Sequence, residues 1–573
     1  MKLKITFLSL GFLALGLTQV QAQPTIMWHR SYDSGISDEG KSIVLSTTGG
    51  VYVAGLATFG PSRNLLSLKY DSSGTVVSNY TCTPELPGDL VKIQRSSGYS
   101  IYALVNVPLS SGDNTYSVMK YTPSGVLSWQ FFAGDTANYR FTPVDIVLDN
   151  SGNAIIAGTF EEYVTHSKSG FFFKKITAAG SASWTRVYTG TGSCQAYDLT
   201  VDNAGNYYVC GTQSIGASSG DFVTIKYNSA GVQQWVRTFD GSAHLQDLGE
   251  RVAVDNSGNV YVAGRVDFQP TNNRSDNVMV KYNASGVYQW RKKYGSTGYN
   301  STKNILFDAS SNPYIVAEAL DLSIPSQPNH AYVAKLNTAG TLQWLKVHKT
   351  SNYIKETASA SVTDGNGTIY VGGDIKDTAS SFVSDMMVFK INSAGTVLWE
   401  QRGNGTAGEN DLVRDMVLSG SNIFVAGAMG NATFDVRTTR IADKVVSCDV
   451  VFTQICYLNK TRCVNNASLS NYISRGATLG ACVGLRTAFN DDNAPGSIYP
   501  NPSSTAFTYR WNKANHQPQK LEVIDMTGRV VDLKTTIENT VTFGNDLVQG
   551  IYFVKVYFAD DAENEFFKIA KQE

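Results

Sequence analysis

One position in the sequence places mostly polar and charged side chains at a regular interval along the chain. It lies at the beginning of what should be the innermost strand of a repeated unit, and its occupants are Ser42, Lys92, Asp145, Asp198, Arg251, Asn304, Ala360 and Arg414. Oppositely charged neighbours would form ion pairs between successive units, namely Lys92 with Asp145 and Asp198 with Arg251. A ring of such side chains could instead bind a small polar ligand at the mouth of a channel. The candidate ligand-binding residues are therefore Lys92, Asp145, Asp198, Arg251 and Arg414.

No motif in the chain predicts a catalytic residue, a metal site or a cofactor. Residues 216–220 match the G-x-S-x-G pattern of serine hydrolases, but that pattern needs a strand-to-helix turn, and here it joins two strands of one unit. The Asp-Asn-Ser-Gly turns at Asp149 and Asp255 lack the alternating carboxylates and the distant Glu of a calcium-binding loop. Hairpin formation explains these turns better. The six histidines show no metal-ligand spacing.

The elements that must position these residues are defined by a repeat of roughly 50 to 55 residues. Its clearest marker is a tryptophan that follows a glycine by four positions, and this glycine follows a lysine by five. The tryptophans are Trp129, Trp184, Trp235, Trp290, Trp344 and Trp399. A residue that returns once per unit is expected to pack between neighbouring units, with sugar stacking as the alternative. The lysines are expected to cover apolar surface with their stems and to keep the ammonium in water.

Upstream of each lysine lies a strand-turn-strand pattern, seen best at residues 255–264 as DNSGNVYVAG. With the strands around the lysine and the tryptophan, each unit has four antiparallel strands, which is a propeller blade. The eighth unit lacks a fourth strand, and the segment around Trp28 can supply it. The ring then closes and exposes no open sheet edge. Residues 28–445 resemble the β-propeller repeats of bacterial secreted and surface proteins, whose likeness is specific for fold and not for function.

The N-terminus and the composition predict an exported protein with no transmembrane helix. Lys2 and Lys4, the apolar run from residue 5 to residue 17 and the Val-Gln-Ala ending at Ala22 are typical of a cleavable signal peptide. The apolar run is too short to span a bilayer comfortably. Positive and negative side chains number 47 and 48 without long runs of one sign, so no nucleic-acid partner is predicted.

A cluster of cysteines follows the repeats. Cys448, Cys456, Cys463 and Cys482 are close enough in sequence to form two disulfides in an exported protein, with three possible connectivities. A zinc site is the alternative, although the cluster lacks paired C-x-x-C spacing.

The last part of the chain has a different pattern, after a polar linker at residues 491–497. Its segments are Tyr499-Pro500-Asn501-Pro502, a strand and turn through Asp525 and Gly528, a strand that begins near Gly550 and Tyr552, and a Lys-containing terminal strand. In this order they resemble the type A sorting domain of the type IX (Por) secretion system of Bacteroidetes. The resemblance implies a small Ig-like β-sandwich that is recognised by the secretion machinery at the outer membrane. A carbohydrate-binding sandwich is the alternative.

Together these patterns predict an all-β protein in four parts. These are a signal peptide at 1–22, a propeller of about eight blades at 23–445, a Cys-containing connecting region and linker at 446–496, and a sorting domain at 497–573. The expected function is that of a secreted or cell-surface binding or scaffold module, with a glycan or surface polymer as the candidate ligand. The alternative is an extracellular polysaccharide lyase or hydrolase whose acid and base lie in loops.

Overall fold

Each repeat of the sequence folds as antiparallel strands in chain order. The computed structural model of the protein describes residues 24–34, 37–47, 49–59, 62–81, 88–109, 114–133, 139–162, 168–190, 192–214, 220–269, 274–294, 300–320, 329–349, 353–377, 383–403, 410–430, 434–443, 452–457, 460–465, 478–479, 496–499, 505–511, 518–525, 529–535, 540–558 and 565–571. The predicted signal peptide lies outside these residues.

The first strand is β1 (Thr25–Tyr32), and five four-stranded sheets follow it. They consist of β2 (Glu39–Leu45), β3 (Val51–Phe59), β4 (Ser62–Tyr70) and β5 (Val76–Thr81); β6 (Asp89–Arg95), β7 (Ile101–Pro108), β8 (Asn114–Tyr121) and β9 (Leu127–Phe132); β10 (Tyr139–Leu148), β11 (Ala154–Glu162), β12 (Ser169–Ile176) and β13 (Ala182–Thr189); β14 (Cys194–Val201), β15 (Tyr207–Gln213), β16 (Asp221–Tyr227) and β17 (Gln233–Phe239); and β18 (Gln246–Val254), β19 (Val260–Gln269), β20 (Arg274–Tyr282) and β21 (Tyr288–Tyr294).

The next two repeats share one nine-stranded sheet, because a single parallel bridge between Asn329 and Lys355 links them. Its strands are β22 (Asn300–Phe307), β23 (Pro313–Leu320), β24 (Asn329–Leu336), β25 (Leu342–Val347), β26 (Tyr353–Glu356), β27 (Ala360–Thr363), β28 (Ile369–Asp377), β29 (Ser384–Ile391) and β30 (Val397–Gly403). The last repeat contributes β31 (Asn410–Ser419), β32 (Asn422–Gly430) and β33 (Phe434–Ala442).

The N-terminal strand completes the last repeat. β1 pairs with β33 in antiparallel register, with Trp28 opposite Arg440, and gives a four-stranded sheet. The prediction that the Trp28 segment supplies the missing strand is therefore confirmed. The first strand of each repeat contacts the first strand of the next in the order β2, β6, β10, β14, β18, β22, β27 and β31, and β31 contacts β2. These strands form a closed ring, and we call them the inner strands.

The turns between the first two strands are built by aspartate. Asp255 Oδ1 accepts hydrogen bonds from the backbone amides of Ser257 and Asn259, both at 2.9 Å. Gly258 follows with a φ of 77°, which glycine adopts without a steric penalty. The prediction that these aspartates serve the hairpin is confirmed.

The tryptophans pack between successive units, as predicted. A Cβ atom on Gly286 would lie 2.7 Å from the ring of Trp235, which belongs to the preceding unit. The same relation joins Trp28 to Gly74 and Trp129 to Gly180. Only glycine therefore lets the ring lie flat on the next turn, and this explains why the two residue types recur together.

The lysines do not place their ammonium groups in water, so that expectation is wrong. Lys120 Nζ donates to the carbonyl oxygen of Ala178 in the next unit at 2.8 Å, and Trp129 Nε1 donates to the same oxygen at 3.0 Å. The ammonium also lies 5.2 Å from the ring centroid of Tyr102. Turn carbonyls have no strand partner, so a charged donor from the neighbouring unit stabilises them.

The chain divides into two compact units, Met1–Cys482 and Val483–Glu573. The first also contains a three-stranded sheet of β34 (Phe452–Tyr457), β35 (Lys460–Asn465) and β36 (Thr478–Leu479). The backbone places Cys456 opposite Thr461, and Cys463 opposite Gln454, so these cysteines lie on paired strands. Cys448 and Cys482 lie outside the described residues, and the disulfides stay a prediction.

The second unit has two antiparallel sheets around one core. Its strands are β37 (Gly496–Tyr499), β38 (Phe507–Trp511), β39 (Pro518–Ile524), β40 (Val530–Lys534), β41 (Thr540–Phe543), β42 (Gly550–Phe558) and β43 (Glu565–Lys571). One sheet has the order β37-β38-β41 and the other β40-β39-β42-β43. Phe507 and Phe543 of the first sheet share a buried cluster with Val523 and Val554 of the second. In the part of the chain that the structure describes, no helix is long and apolar enough to cross a membrane.

Candidate functional site

The candidate ligand-binding residues begin with Lys92 and Asp145, on the inner strands β6 and β10 of successive units. Lys92 Nζ lies 2.7 Å from Asp145 Oδ1, so the predicted ion pair is confirmed. Asp145 keeps 6% of its side chain exposed and Lys92 keeps 37%. Desolvation would lower the pKa of Lys92, but the charges of Asp145, Asp198 and Asp415 raise it above its ordinary value. A cation is thus held among carboxylates from three other units.

Asp198 and Arg251 do not form the predicted ion pair within the described residues. Arg251 Nε donates to the carbonyl oxygen of Lys303 in the next unit at 2.7 Å, and Asp198 Oδ2 accepts from the Val252 amide at 2.8 Å. A β-bulge between Gly249 and Arg251 interrupts the strand pairing here and leaves backbone groups to be satisfied by side chains. Burial raises the pKa of Asp198 to about 6, although the charge of Arg251 opposes this rise.

Arg414 does not occupy the ring position that the sequence predicts, and Asp415 takes it instead. Asp415 is paired in register with Ala426, as Asp145 is with Ala157. The turn between the first two strands of the last unit, which pairs Ser419 with Asn422, is one residue shorter than in the other units. Counting back from the second strand by the spacing of the other units therefore gives Arg414, one residue before the true ring position. Arg414 lies in the bulge and its Nε donates to Glu39 Oε1 at 2.5 Å.

The ring positions join neighbouring units. Asp415 Oδ2 accepts hydrogen bonds from Ser42 Oγ at 2.9 Å and from the Ile43 amide at 3.0 Å across the junction between the last and first units. Asn304 Nδ2 donates to Ser361 Oγ at 3.1 Å in the same way. These side chains hydrogen bond to groups on the neighbouring inner strand, including backbone amides, and so link one inner strand to the next. Ligand binding by Lys92, Asp145, Asp198, Arg251 and Arg414 stays a prediction.

A second row of acidic side chains, not predicted from the sequence, lies four residues before the ring position. It comprises Asp38, Asp247, Glu356 and Asp411, which are at most 1% exposed. Asp38 directly precedes β2, and Asp247 and Asp411 lie at the start of β18 and β31. Glu356 ends β26, four residues before β27 begins. All four therefore lie along one rim of the ring, which we call the acidic rim. The available signal was an acidic residue four places before the ring position in four of the eight units. With Arg414 taken as the ring position of the last unit, that spacing falls on Asn410 and misses Asp411.

Asp247 on this rim is surrounded by other aspartates. Its Oδ1 accepts from the Asp267 amide at 2.7 Å and its Oδ2 from the Gly241 amide at 2.5 Å. Burial raises the pKa of Asp247 to about 7, and the charges of Asp267 and Asp240 act in the same direction against the two backbone hydrogen bonds. Carboxyls with such raised pKa values are concentrated at functional sites.

Glu356 has histidine partners in place of aspartates. Its Oε2 lies 2.9 Å from His330 Nδ1 and its Oε1 lies 3.6 Å from His348 Nδ1. His348 Nε2 also lies 3.1 Å from Glu400 Oε2. Burial would lower the pKa of His348, but these two carboxylates raise it. His348 therefore links the Glu356 and Glu400 carboxylates.

A small cavity opens on the acidic rim where the ring closes. It has a volume of about 230 Å³, and its polar lining includes Ser37, Asp38, Glu39 and Arg414. The Glu39–Arg414 ion pair supplies both signs of charge at this position, since 29% and 38% of the two side chains are exposed. A hydroxylated or amide-bearing ligand could hydrogen bond to both.

Part of the predicted sorting motif is described. Asp525 Oδ1 accepts from the Arg529 amide at 3.1 Å and forms the turn between β39 and β40. Tyr552 is 6% exposed, and its hydroxyl donates to the Val548 carbonyl oxygen at 2.8 Å, close to Gly550 at the start of β42. The backbone of Tyr499 ends β37. The motif residues outside the described part of the chain are Pro500, Asn501, Pro502 and Gly528.

Comparison with known families identifies this unit. Residues 497–569 match the family described as a secretion system C-terminal sorting domain. The segment is a type IX sorting domain. The sorting domain indicates export to the cell surface or secretion, and it implies contact with the type IX secretion machinery.

The solved structures that match this chain are distant in sequence. Sqt1 from Chaetomium thermophilum is 11% identical over 74% of this chain and 100% of its own, with a TM-score of 0.45. The polysaccharide lyase Uly1 is 10% identical over 74% of this chain and 98% of its own, with a TM-score of 0.38. An ulvan lyase of a new polysaccharide lyase family is 13% identical over 63% of this chain and 93% of its own, also at 0.38. No curated protein sequence matches the chain.

Proposed function

We propose that this protein is an eight-bladed propeller that acts as a binding scaffold at the cell surface or after release, with a glycan or other polar surface polymer as its ligand. The observation that carries the proposal is that the side chains at the ring position bond to the neighbouring units. Asp198, Arg251 and Asp415 each bond to the neighbouring inner strand, so the most chemically suggestive residues of the sequence serve rigidity. A rigid ring suits a protein that presents its rims to a partner.

The blade count rests on the inner strands. The eight inner strands contact one another in a closed circuit, and β1 completes the last sheet. The nine-stranded sheet then corresponds to two blades, bridged between β24, the third strand of one, and β26, which pairs with β28 ahead of the inner strand β27 of the next. The second unit, with its two sheets on one core, is proposed to be Ig-like.

The ligand is expected at the acidic rim, around the cavity that Glu39 and Arg414 line. A glycan hydroxyl can donate to the Glu39 carboxylate and accept from the Arg414 guanidinium, and these charge-assisted bonds are the stronger kind. The opposite rim carries the Asp-Asn-Ser-Gly turns, whose carboxylates are engaged with their own backbone, as at Asp255.

The processing of the chain is proposed as the sequence indicates. Cleavage after Ala22 would release a mature propeller at 23–445, and the four clustered cysteines of the connecting region at 446–496 would form disulfides in the oxidising exterior. The sorting domain at 497–573 would then direct delivery through the outer membrane.

Binding to a glycan array and to purified surface polymers tests the proposed function. The double variant Glu39→Gln/Arg414→Gln should lose at least about 1.4 kcal/mol of binding free energy, or tenfold in affinity, because both charged hydrogen bonds are weakened. Asn256→Ala on the opposite rim is the control and should bind like the wild type. Depolymerisation of a polysaccharide by the purified protein would overturn the proposal in favour of a lyase or hydrolase.

A further inference from the structure

Three aspartates from different strands meet where the fourth and fifth units join. Asp221 begins β16, Asp240 directly follows β17, and Asp247 lies at the beginning of β18. One carboxylate oxygen of each residue lies within 4.8 Å of those of the other two. Asp247 is buried at the base, while 39% of the Asp240 side chain is exposed, so the group is open to solvent on one side.

The Asp221 carboxylate has an unused buried oxygen. Asp221 is only 6% exposed, and within the described residues its Oδ1 has no hydrogen-bond partner. A buried carboxylate oxygen without a partner is costly, by several kcal/mol in apolar surroundings. Backbone amides satisfy both oxygens of Asp247, whereas the Asp221 carboxylate keeps an unpartnered oxygen and lies within 4.8 Å of the other two acids.

No strong cation compensates these charges. Among the described residues, no lysine or arginine lies within ion-pairing distance of the three aspartates, and the basic neighbour of Asp240 is His244, 2.5 Å away and largely exposed. Burial, followed by the charge of Asp240, raises the pKa of Asp221. A buried group of acids must either keep protons or gain a cation.

We propose that Asp221, Asp240 and Asp247 bind a calcium ion at this junction. Calcium takes oxygen ligands at 2.3–2.6 Å, so two ligands of one ion are at most about 5 Å apart, which matches the separation of these carboxylates. Backbone carbonyls and water would complete the coordination. The ion would link the third and fourth strands of one unit to the inner strand of the next. The site does not depend on which polymer the protein binds.

The same arrangement recurs where the ring closes. Asp33, Asp38 and Asp435 have oxygens within 4.8 Å of one another, and they occupy the positions of Asp240, Asp247 and Asp221. The equivalence extends to the backbone, since the Asp247 amide donates to the Gly220 carbonyl oxygen and the Asp38 amide donates to that of Phe434. Each carbonyl belongs to the residue directly before the corresponding aspartate, Asp221 or Asp435. A second calcium ion is therefore expected at the closing junction.

Calcium titration of the full-length protein, stripped with chelator, tests both sites. Isothermal titration calorimetry should show one ion per cluster with a Kd on the order of 0.1 mM, typical of extracellular modules. Calcium at about 100 times Kd should raise the Tm by about 3 °C per site, and magnesium at the same concentration should raise it less. A chelator should reverse the shift.

Variants assign the ions to the clusters. Asp221→Asn should lose one bound ion and about half of the Tm shift, and Asp240→Asn, whose side chain is more exposed, should do the same if Asp221→Asn folds poorly. The position-matched control is Asp276→Asn, because Asp276 occupies the equivalent place in the next unit and pairs with Lys293 at 2.5 Å. Asp276→Asn should bind calcium like the wild type. The proposal is overturned by a wild-type protein that shows no calcium response up to 10 mM, or by an Asp240→Asn variant that keeps the full stoichiometry and Tm shift.

Discussion

Replacement of Trp28 by alanine should open the ring at its closing junction. Trp28 is 8% exposed and packs with Tyr70 and Phe424, which lie in the first and last units. Its ring also covers Gly74, where a Cβ atom would lie 2.6 Å away. The side chain thus belongs to the last sheet and makes its contacts on both sides of the junction.

The expected cost is about 3–5 kcal/mol in the free energy of unfolding, the usual range for a buried aromatic side chain replaced by alanine. The lost hydrogen bond from Trp28 Nε1 to the Ser72 carbonyl oxygen adds little, because Arg440 Nη1 donates to the same oxygen. The unpaired-carbonyl penalty is therefore avoided. Met27→Ala is the matched control, since Met27 is adjacent on β1 and 51% exposed, and its effect should stay within about 0.5 kcal/mol.

Urea denaturation of the full-length protein, followed by far-ultraviolet circular dichroism, measures both variants. The midpoint should fall for Trp28→Ala with an unchanged m-value, which shows that stability changed and not the surface exposed on unfolding. Limited proteolysis should also cleave near β1 sooner in this variant. A cost no larger than that of Met27→Ala, within about 0.5 kcal/mol, would refute closure of the ring by the N-terminal strand.

Three further predictions concern pH and export. Burial raises the pKa of Asp198 from 3.8 to about 6, so the native state binds this proton more tightly than the unfolded chain. The free energy of unfolding should therefore fall as the pH rises from about 4 to 6. Asp198→Asn should reduce that fall in denaturation curves. The raised pKa of His348 contributes stability that is complete below pH 6.5 and is lost as the pH rises through the pKa of the folded protein. His348→Gln should therefore flatten the alkaline side of the plot of unfolding free energy against pH, and an unchanged slope would contradict this. Deletion of the residues after Pro495 should leave the protein in the periplasm in cell fractionation, and normal surface delivery would contradict its dependence on the sorting domain.

The sequence by itself determined the repeating architecture and the export domain. The constant phase of lysine, glycine and tryptophan follows from one packing rule, in which the aromatic ring lies on the glycine of the next turn, as Trp235 does on Gly286. The place of Trp28 could also be predicted, because the last unit lacked one strand. The order of the C-terminal segments was enough to predict the family that matches residues 497–569.

Only the tertiary structure decided what the polar residues do. Asp415 replaces Arg414 in the ring because one turn is a residue shorter, and a register counted along the chain cannot detect this. The ammonium groups of Lys120, Lys226 and Lys281 donate to turn carbonyls more than fifty residues away, so these contacts are invisible in a local pattern. Likewise, Asp221 and Asp247 come from neighbouring units and approach each other only when the ring packs its sheets side by side. The acidic rim is therefore a property of the contacts between units, whereas the blades are a property of each unit alone.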